Sequence, residues 1–254
     1  MNGQTHVTQG FSPLLAGATA RRVLTQLRHD PRTIAMLLAV PTVMMILLRY
    51  VVSDSLVLNR VAPEYIGVFP FVSMFIVAAI TTQRERSSGT LERLMAMPLG
   101  KLDLLAGYGI AFGLMACVQV ALVLLVSLTW LGVTVAGSAV PLAVVAVLDA
   151  VLGMACGLFA SAFARTEFQA VQFMPAFVLP QALLCGLVVS RDHMTAVLRW
   201  LSDILPLSYA VDAMQRISTS ASWTSATGAD VAVIVSFTVA ALVGGALTLR
   251  RRTP

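Results

Sequence analysis

A chain of 254 residues that is 58% hydrophobic and only 11% charged, with a mean hydropathy of +0.86, falls outside the range of soluble domains and reads as an integral membrane protein. The basic excess, +5 with a pI near 9.6, would suggest nucleic acid in a soluble protein; here the arginines flank apolar runs, so the membrane accounts for it and no nucleic-acid partner is expected. Cys117, Cys156 and Cys185 all lie inside apolar runs and read as small buried hydrophobes, so neither a disulfide nor a metal site is expected.

In chain order, Met1 to Gly10 is a polar lead. Pro13 to Arg28 predicts a helix with Ala20, Val23, Leu24 and Leu27 on one face and Arg21, Arg22 and Arg28 off it. That is the pattern of a helix lying in the membrane interface. Asp30-Pro31 opens the first span, Asp as N-cap and Pro at the first helical position, where its missing N–H costs nothing. Six spans are predicted, at Thr33–Val52, Ile66–Thr82, Leu104–Leu128, Val140–Phe163, Ala170–Val189 and Val231–Leu249. Each is apolar enough, and about long enough, to cross a hydrocarbon core of about 30 Å. The fold class is all-α: one transmembrane domain over residues 1–254, made of a cytoplasmic N-terminus (1–32), a six-helix membrane part (33–249) and a cytoplasmic tail (250–254). No signal peptide is expected, since no small-residue cleavage site follows the first apolar run.

With the N-terminus inside, the inner segments carry Arg21, Arg22, Arg28, Arg32, Arg84, Arg86, Arg93, Lys101, Arg165, Arg250, Arg251 and Arg252. The outer ones carry Arg49, Arg60, Arg191, Arg199 and Arg216. Twelve against five places both termini in the cytoplasm. Ser190 to Asp230 becomes a long external segment, with a mixed apolar pattern from Met194 to Leu205 and a short helix at Tyr209 to Ile217.

The densest charged stretch between two apolar runs is Gln83 to Lys101, QRERSSGTLERLMAMPLGK. Ser87, Ser88 and Gly89 form a turn, Thr90 to Met97 a short helix, and Pro98 its stop. Leu91, Leu94 and Met95 share one face, with Glu92 and Arg93 off it. Two readings stand: an apolar stripe that enters a partner's groove, with Glu85, Arg86, Glu92 and Arg93 as its charged rim, or a helix lying on lipid headgroups.

Asp149 is the one ionisable residue well inside a span. A carboxylate there costs roughly 2.5–3.5 kcal/mol on insertion scales, so it should face protein or water. It serves either a cavity that meets a cationic substrate or a proton, or a structural partner, for which Arg49 is a candidate. Gln169, Gln172 and Gln181 add polar groups to the fifth span, and Pro175 and Pro180 bend it and free backbone carbonyls. Asp149, Gln172, Pro175, Pro180 and Gln181 are thus the candidate substrate path. Gly109-x-x-x-Gly113 and Gly153-x-x-x-Gly157 set small residues on one helix face for close packing. Catalytic motifs do not occur: Gly100-Lys101 is followed by Leu102, without the preceding glycine of a phosphate-binding loop, and neither H-E-x-x-H nor G-x-S-x-G is found.

Glu85, Arg86, Gly89, Thr90, Leu91, Glu92, Leu94 and Pro98 form an E-R-x-x-G-T-L-E-x-L run followed by Pro and a span. This resembles the cytoplasmic loop after the second membrane helix of type-2 ABC transporter permeases, in particular drug-resistance exporters of the daunorubicin kind. The R-x-D-P entry to the first span, and Pro206 and Tyr209 in a P-x-x-Y before the last one, resemble the same family; Arg216 stands one position later than the family pattern has it. The resemblance implies that Glu85 to Pro98, including Arg93 and Met95, is the coupling helix docked on a separate ATPase subunit. It implies ATP and Mg on that partner with no cofactor on this chain, and a second permease subunit as homo- or heterodimer. It implies further an exported hydrophobic or amphipathic drug, secondary metabolite or lipid, and a bacterial inner membrane. Export of a lipid-linked glycan is the alternative within the family. A secondary transporter or membrane scaffold without an ATPase is the alternative outside it.

Overall fold

The computed structural model describes residues 11–97, 100–220 and 223–248, so Pro98 and the tail arginines lie outside the described residues. Those residues form ten α-helices: α1 (Pro13–Arg28), α2 (Pro31–Val51), α3 (Ser55–Ser87), α4 (Thr90–Ala96), α5 (Lys101–Thr129), α6 (Ala139–Ser161), α7 (Glu167–Leu184), α8 (Ala196–Ile204), α9 (Pro206–Thr219) and α10 (Ser225–Thr248). A short 3-10 turn precedes α8, and no strand occurs among the described residues.

Five helices, α2, α3, α5, α6 and α10, are long and apolar enough to cross a membrane. The predicted fifth span is the exception. It becomes α7, only 18 residues long, and carries Glu167, Gln169, Gln172 and Gln181 along with Pro175 and Pro180. The second span departs in the other direction. The expectation began it at Ile66, but α3 starts at Ser55, where the Asp54 carboxylate accepts from the Leu56 N–H. At 33 residues α3 is about 50 Å long, well beyond a hydrocarbon core of about 30 Å. The entry to α2 follows its sequence signal: Thr33 donates to Asp30 through its backbone N–H (3.2 Å) and its hydroxyl (2.8 Å), and these bonds hold the Asp30 carboxyl below its ordinary range.

The core sits between α3 and α6, which are buried over most of their apolar windows, whereas α2 and α10 expose most of theirs. Two glycines explain the closeness. A Cβ at Gly153 would lie 2.3 Å from the Phe71 carbonyl oxygen, and one at Gly157 would lie 2.2 Å from that of Phe75. Only glycine lets these backbones meet, which is how small-xxx-small stripes hold helices together where lipid supplies no hydrophobic drive. The companion stripe does not do this: nothing lies within 4 Å of a Cβ at Gly109, and at Gly113 only a Val151 methyl is reached. On α5 the close approach falls at Gly107 instead, where a Cβ would stand 2.4 Å from Thr19 of α1.

That contact corrects the reading of α1. Its apolar face (Ala16, Ala20, Val23 and Leu27) is buried within the protein, with Ala20, Val23 and Leu27 in a cluster with Leu104, Leu105 and Tyr108 of α5, and does not lie on lipid. Asp103 fixes the two helix starts together, accepting from the Ser12 N–H at 2.7 Å and the Gly100 N–H at 3.1 Å. In the segment between α7 and α10, α9 is also buried. Leu207, Ala210, Val211, Ala213 and Met214 pack into the core cluster with α3 and α6, while α8 leaves Val197, Trp200 and Ile204 exposed.

Gly153→Ala and Gly157→Ala are each expected to destabilise the fold by about 1–3 kcal/mol through overpacking, while Gly109→Ala should be neutral or slightly stabilising. Apparent unfolding midpoints of the three variants in the same detergent will show the contrast; equal midpoints for Gly153→Ala and Gly109→Ala would refute the backbone contact.

Candidate functional site

The segment after α3 folds as its residues direct. α3 ends at Ser87, Gly89 takes φ +71°, a left-handed conformation that glycine adopts without Cβ strain, and α4 begins at Thr90. The helix has two faces. Glu92, Arg93, Ala96 and Met97 are exposed. Leu91, Leu94 and Met95 are buried, at 6–8% exposure, in the apolar cluster that holds Ala20, Val23 and Leu27 of α1 and Leu104 and Leu105 of α5. The stripe expected to enter a partner's groove is therefore covered by the protein's own chain. Periodicity showed that one face of α4 is buried, and the occupant is internal.

Glu85 is the second correction. Expected on a charged rim, it is 2% exposed. Arg22 of α1 forks onto it, Nη1 to Oε1 at 3.1 Å and Nη2 to Oε2 at 3.4 Å, and the Tyr108 hydroxyl of α5 donates to Oε2. One carboxylate thus joins α1, α3 and α5 directly beneath α4. Arg86 is partly buried, with its Nε and Nη2 lacking hydrogen-bond partners among the described residues. Arg84 is exposed and pairs with Glu167 of α7 at 3.1 Å and with Asp30 at 3.7 Å. Lys101 reaches the Ala246 carbonyl of α10 at 3.3 Å. The charged side chains of α1, α3, α5 and α7 therefore gather at the end of the bundle that carries α4.

The candidate path residues are not brought together. Asp149 is fully buried on α6, both of its oxygens are without a hydrogen-bond partner among the described residues, and one would lie 3.4 Å from a Cβ at Gly67 of α3. The proposed partner Arg49 instead donates to the Val52 carbonyl at 3.2 Å. Gln172, Pro175 and Pro180 stand on the exposed side of α7, which runs unbroken through both prolines. Gln181 is buried, spans from the Phe177 carbonyl to the Leu207 N–H, and so joins α7 to α9. Another interior polar group went unread. Gln119 of α5 donates to the Leu37 carbonyl of α2 at 2.8 Å and to the Ser73 hydroxyl of α3. A lone Gln in an apolar run of this length was the signal for it.

A helical bundle of this kind, with its charge gathered at the ends and a short helix hung from a central rod, is the membrane part of a polytopic protein. Residues 15–218 match the ABC-2 type transporter family, and the chain belongs to that family. It is 28% identical over 158 residues to the probable multidrug ABC transporter permease YbhS of Escherichia coli K12, a match covering 62% of this chain and 42% of that protein. It is 27% identical over 157 residues to the probable multidrug ABC transporter permease YbhR of the same strain, covering 62% and 43%. ABC transporter G family member 20 of Dictyostelium discoideum is 24% identical over 164 residues, covering 65% and 22%. The matches thus span less than half the length of these relatives.

Glu85→Gln and Tyr108→Phe should each cost about 1–3 kcal/mol, since a buried charge-assisted bond is lost. The double variant should cost less than the sum, because both changes open the same network. Chemical unfolding of the four proteins in a double-mutant cycle measures the coupling; strict additivity would mean that the three groups do not act as one node.

Proposed function

We propose that this chain is the permease subunit of an ATP-driven exporter in a bacterial inner membrane, with both termini cytoplasmic. It works with a separate ATPase subunit, which holds ATP and Mg, and with a second permease subunit. The observation that carries the reading is the two-faced α4. Its inner face is anchored in the chain's own core and its outer face, Glu92, Arg93, Ala96 and Met97, is offered to the aqueous side at the end of α3. A helix seated in this way transmits force. A load applied to the outer face passes through Leu91, Leu94 and Met95 into α1 and α5, and through the Gly89 turn into α3, which packs along α6.

The residues assigned to coupling divide accordingly. Thr90, Glu92 and Arg93 meet the ATPase. Leu91, Leu94 and Met95 hold α4 to the bundle, Gly89 sets the turn, and Glu85 and Arg86 brace the base; Pro98 follows as the stop. The relatives named as multidrug permeases support a hydrophobic or amphipathic cargo. The exposed sides of α2, α7 and α10 leave room for a second permease subunit, and Gln172, Pro175 and Pro180 then border a path between the two copies, with α7 as the sixth, shorter membrane helix.

Reversing the outer face, Glu92→Lys with Arg93→Glu, should leave the unfolding midpoint nearly unchanged, as surface substitutions do, yet reduce co-purification of the ATPase at least tenfold and abolish export. Leu91→Asp should instead lower stability, because its side chain is buried. An ATPase that still co-purifies with the reversed face, and still drives export, would overturn the coupling assignment. For topology, Ser88→Cys and Thr195→Cys, made without the native cysteines, should differ in intact cells: an impermeant maleimide should label only the Thr195 position. Labelling at the Ser88 position alone would invert the orientation.

A further inference from the structure

At the end of the bundle opposite α4, a cleft of about 590 Å³ opens between the start of α3, the connection after α7, and α9. That is the size of a small-molecule site. Its apolar wall includes Val57, Val61 and Val211, and Gly186, at φ +104°, turns the chain along its edge. Its charges are mostly committed to one another. Arg191 pairs with both Asp203 and Asp212, and Arg216 with Asp230. Arg199 donates to the Arg191 carbonyl at 3.2 Å and to the Asp192 carbonyl at 2.7 Å.

Glu64 is different. It lines the cleft at only 5% exposure, yet no hydrogen bond or ion pair reaches its carboxylate among the described residues. Arg60 stands one helical turn before it, the spacing at which a helix pair closes, but stays exposed and leaves more than 4 Å between the groups. Asp212 is the other charge acting on Glu64, and it is already taken by Arg191. A nearly buried carboxylate without a partner, at an apolar wall and open to a cleft, calls for a donor from outside.

We infer that this outer cleft binds an organic ammonium, with Glu64 meeting the charged nitrogen and the valine wall covering an apolar body. The inference deepens the export reading by naming a cargo class and a place near its exit, and it rests on that reading only for the step at which the site is used. An ammonium of this kind comes either as a soluble amine or as the ethanolamine headgroup of a lipid.

The test needs no ATPase, so its failure leaves the coupling assignment standing and the failure of that assignment leaves the site standing. The chain is placed in phosphatidylcholine nanodiscs and titrated calorimetrically with benzylammonium, benzyl alcohol and phenylacetate, with empty nanodiscs subtracted. Benzylammonium should bind at least tenfold more tightly than either analogue. Glu64→Gln should remove that preference, and Asp192→Asn at the exposed rim should leave most of it. Arg60→Ala, an exposed change that does not test folding, should strengthen benzylammonium binding several-fold by deleting a competing cation. Repeating the titration in phosphatidylethanolamine nanodiscs separates the sources. Loss of benzylammonium binding there identifies the headgroup as occupant, and unchanged binding identifies a soluble amine. Equal binding of the three compounds to the unmodified chain, tighter binding of phenylacetate, or no effect of both Glu64→Gln and Arg60→Ala would overturn the inference.

Discussion

The contact on which the rest of the molecule depends is the backbone-to-backbone approach of α6 to α3. Gly153 and Gly157 sit one helical turn apart over the carbonyls of Phe71 and Phe75, with no room for a methyl group at either. In lipid the apolar side chains of two helices gain little by leaving the hydrocarbon for each other, so dispersion at close range has to supply the attraction. The closer the backbones, the more atoms are in range. With α6 seated, α3 becomes the buried rod of the bundle, and everything of functional interest is hung from it. α4 follows its C-terminal end, the Asp149 carboxyl is set against it at Gly67, and Glu64 lies nearer its N-terminal end.

The two ends of that rod carry opposite kinds of electrostatics. At the α4 end charges close bonds between helices: Glu85 with Arg22 and Tyr108, Arg84 with Glu167 and Asp30, and Asp103 with the N–H groups of Ser12 and Gly100. Such an end is braced, which suits the load that the proposed coupling would place on it. At the opposite end the pairs close mainly within the connection between α7 and α10, leaving a cleft against α3 with a carboxylate that no side chain claims among the described residues. In the proposed export cycle, load enters where the structure is tied, and the cleft lies where it is not.

Much of this was legible in the sequence wherever a signal is local. Asp30-Pro31 marked the start of α2, the Ser-Ser-Gly turn and the spacing of Leu91, Leu94 and Met95 marked α4, and the E-R-x-x-G-T-L-E-x-L run identified the family that residues 15–218 confirm. What was not legible depends on neighbours. Gly109-x-x-x-Gly113 and Gly153-x-x-x-Gly157 are the same pattern, yet only the second meets a backbone. The pattern permits contact, and the neighbouring helix decides where contact is made. The helix expected at Tyr209 to Ile217 forms as α9, but its burial was not legible, because Ser208 and Ser218 sit buried beside Leu207 and Ile217, with Ser208 within bonding distance of the Ser202 hydroxyl. The early start of α3 was hidden by Arg60, Pro63 and Glu64, which look like loop residues in a span and are here in the first turns of a helix longer than the membrane is thick.

The α4 stripe shows what amphipathic periodicity does and does not decide. Three apolar residues on one face state that the face is covered; they are silent about whether a partner or the chain itself covers it. That difference changes the mechanics. A stripe inserted into a partner would make α4 part of the partner, joined to its own chain only through the Gly89 turn, and a flexible joint of that kind dissipates motion. A stripe inserted into a cluster that also holds residues of α1, α3 and α5 makes α4 part of the bundle. Packed interiors yield little to compression and pass strain on. On the proposed reading, the outer face recognises a partner without supplying the attachment that gives α4 its rigidity, so affinity and force transmission fall on opposite sides of a seven-residue helix.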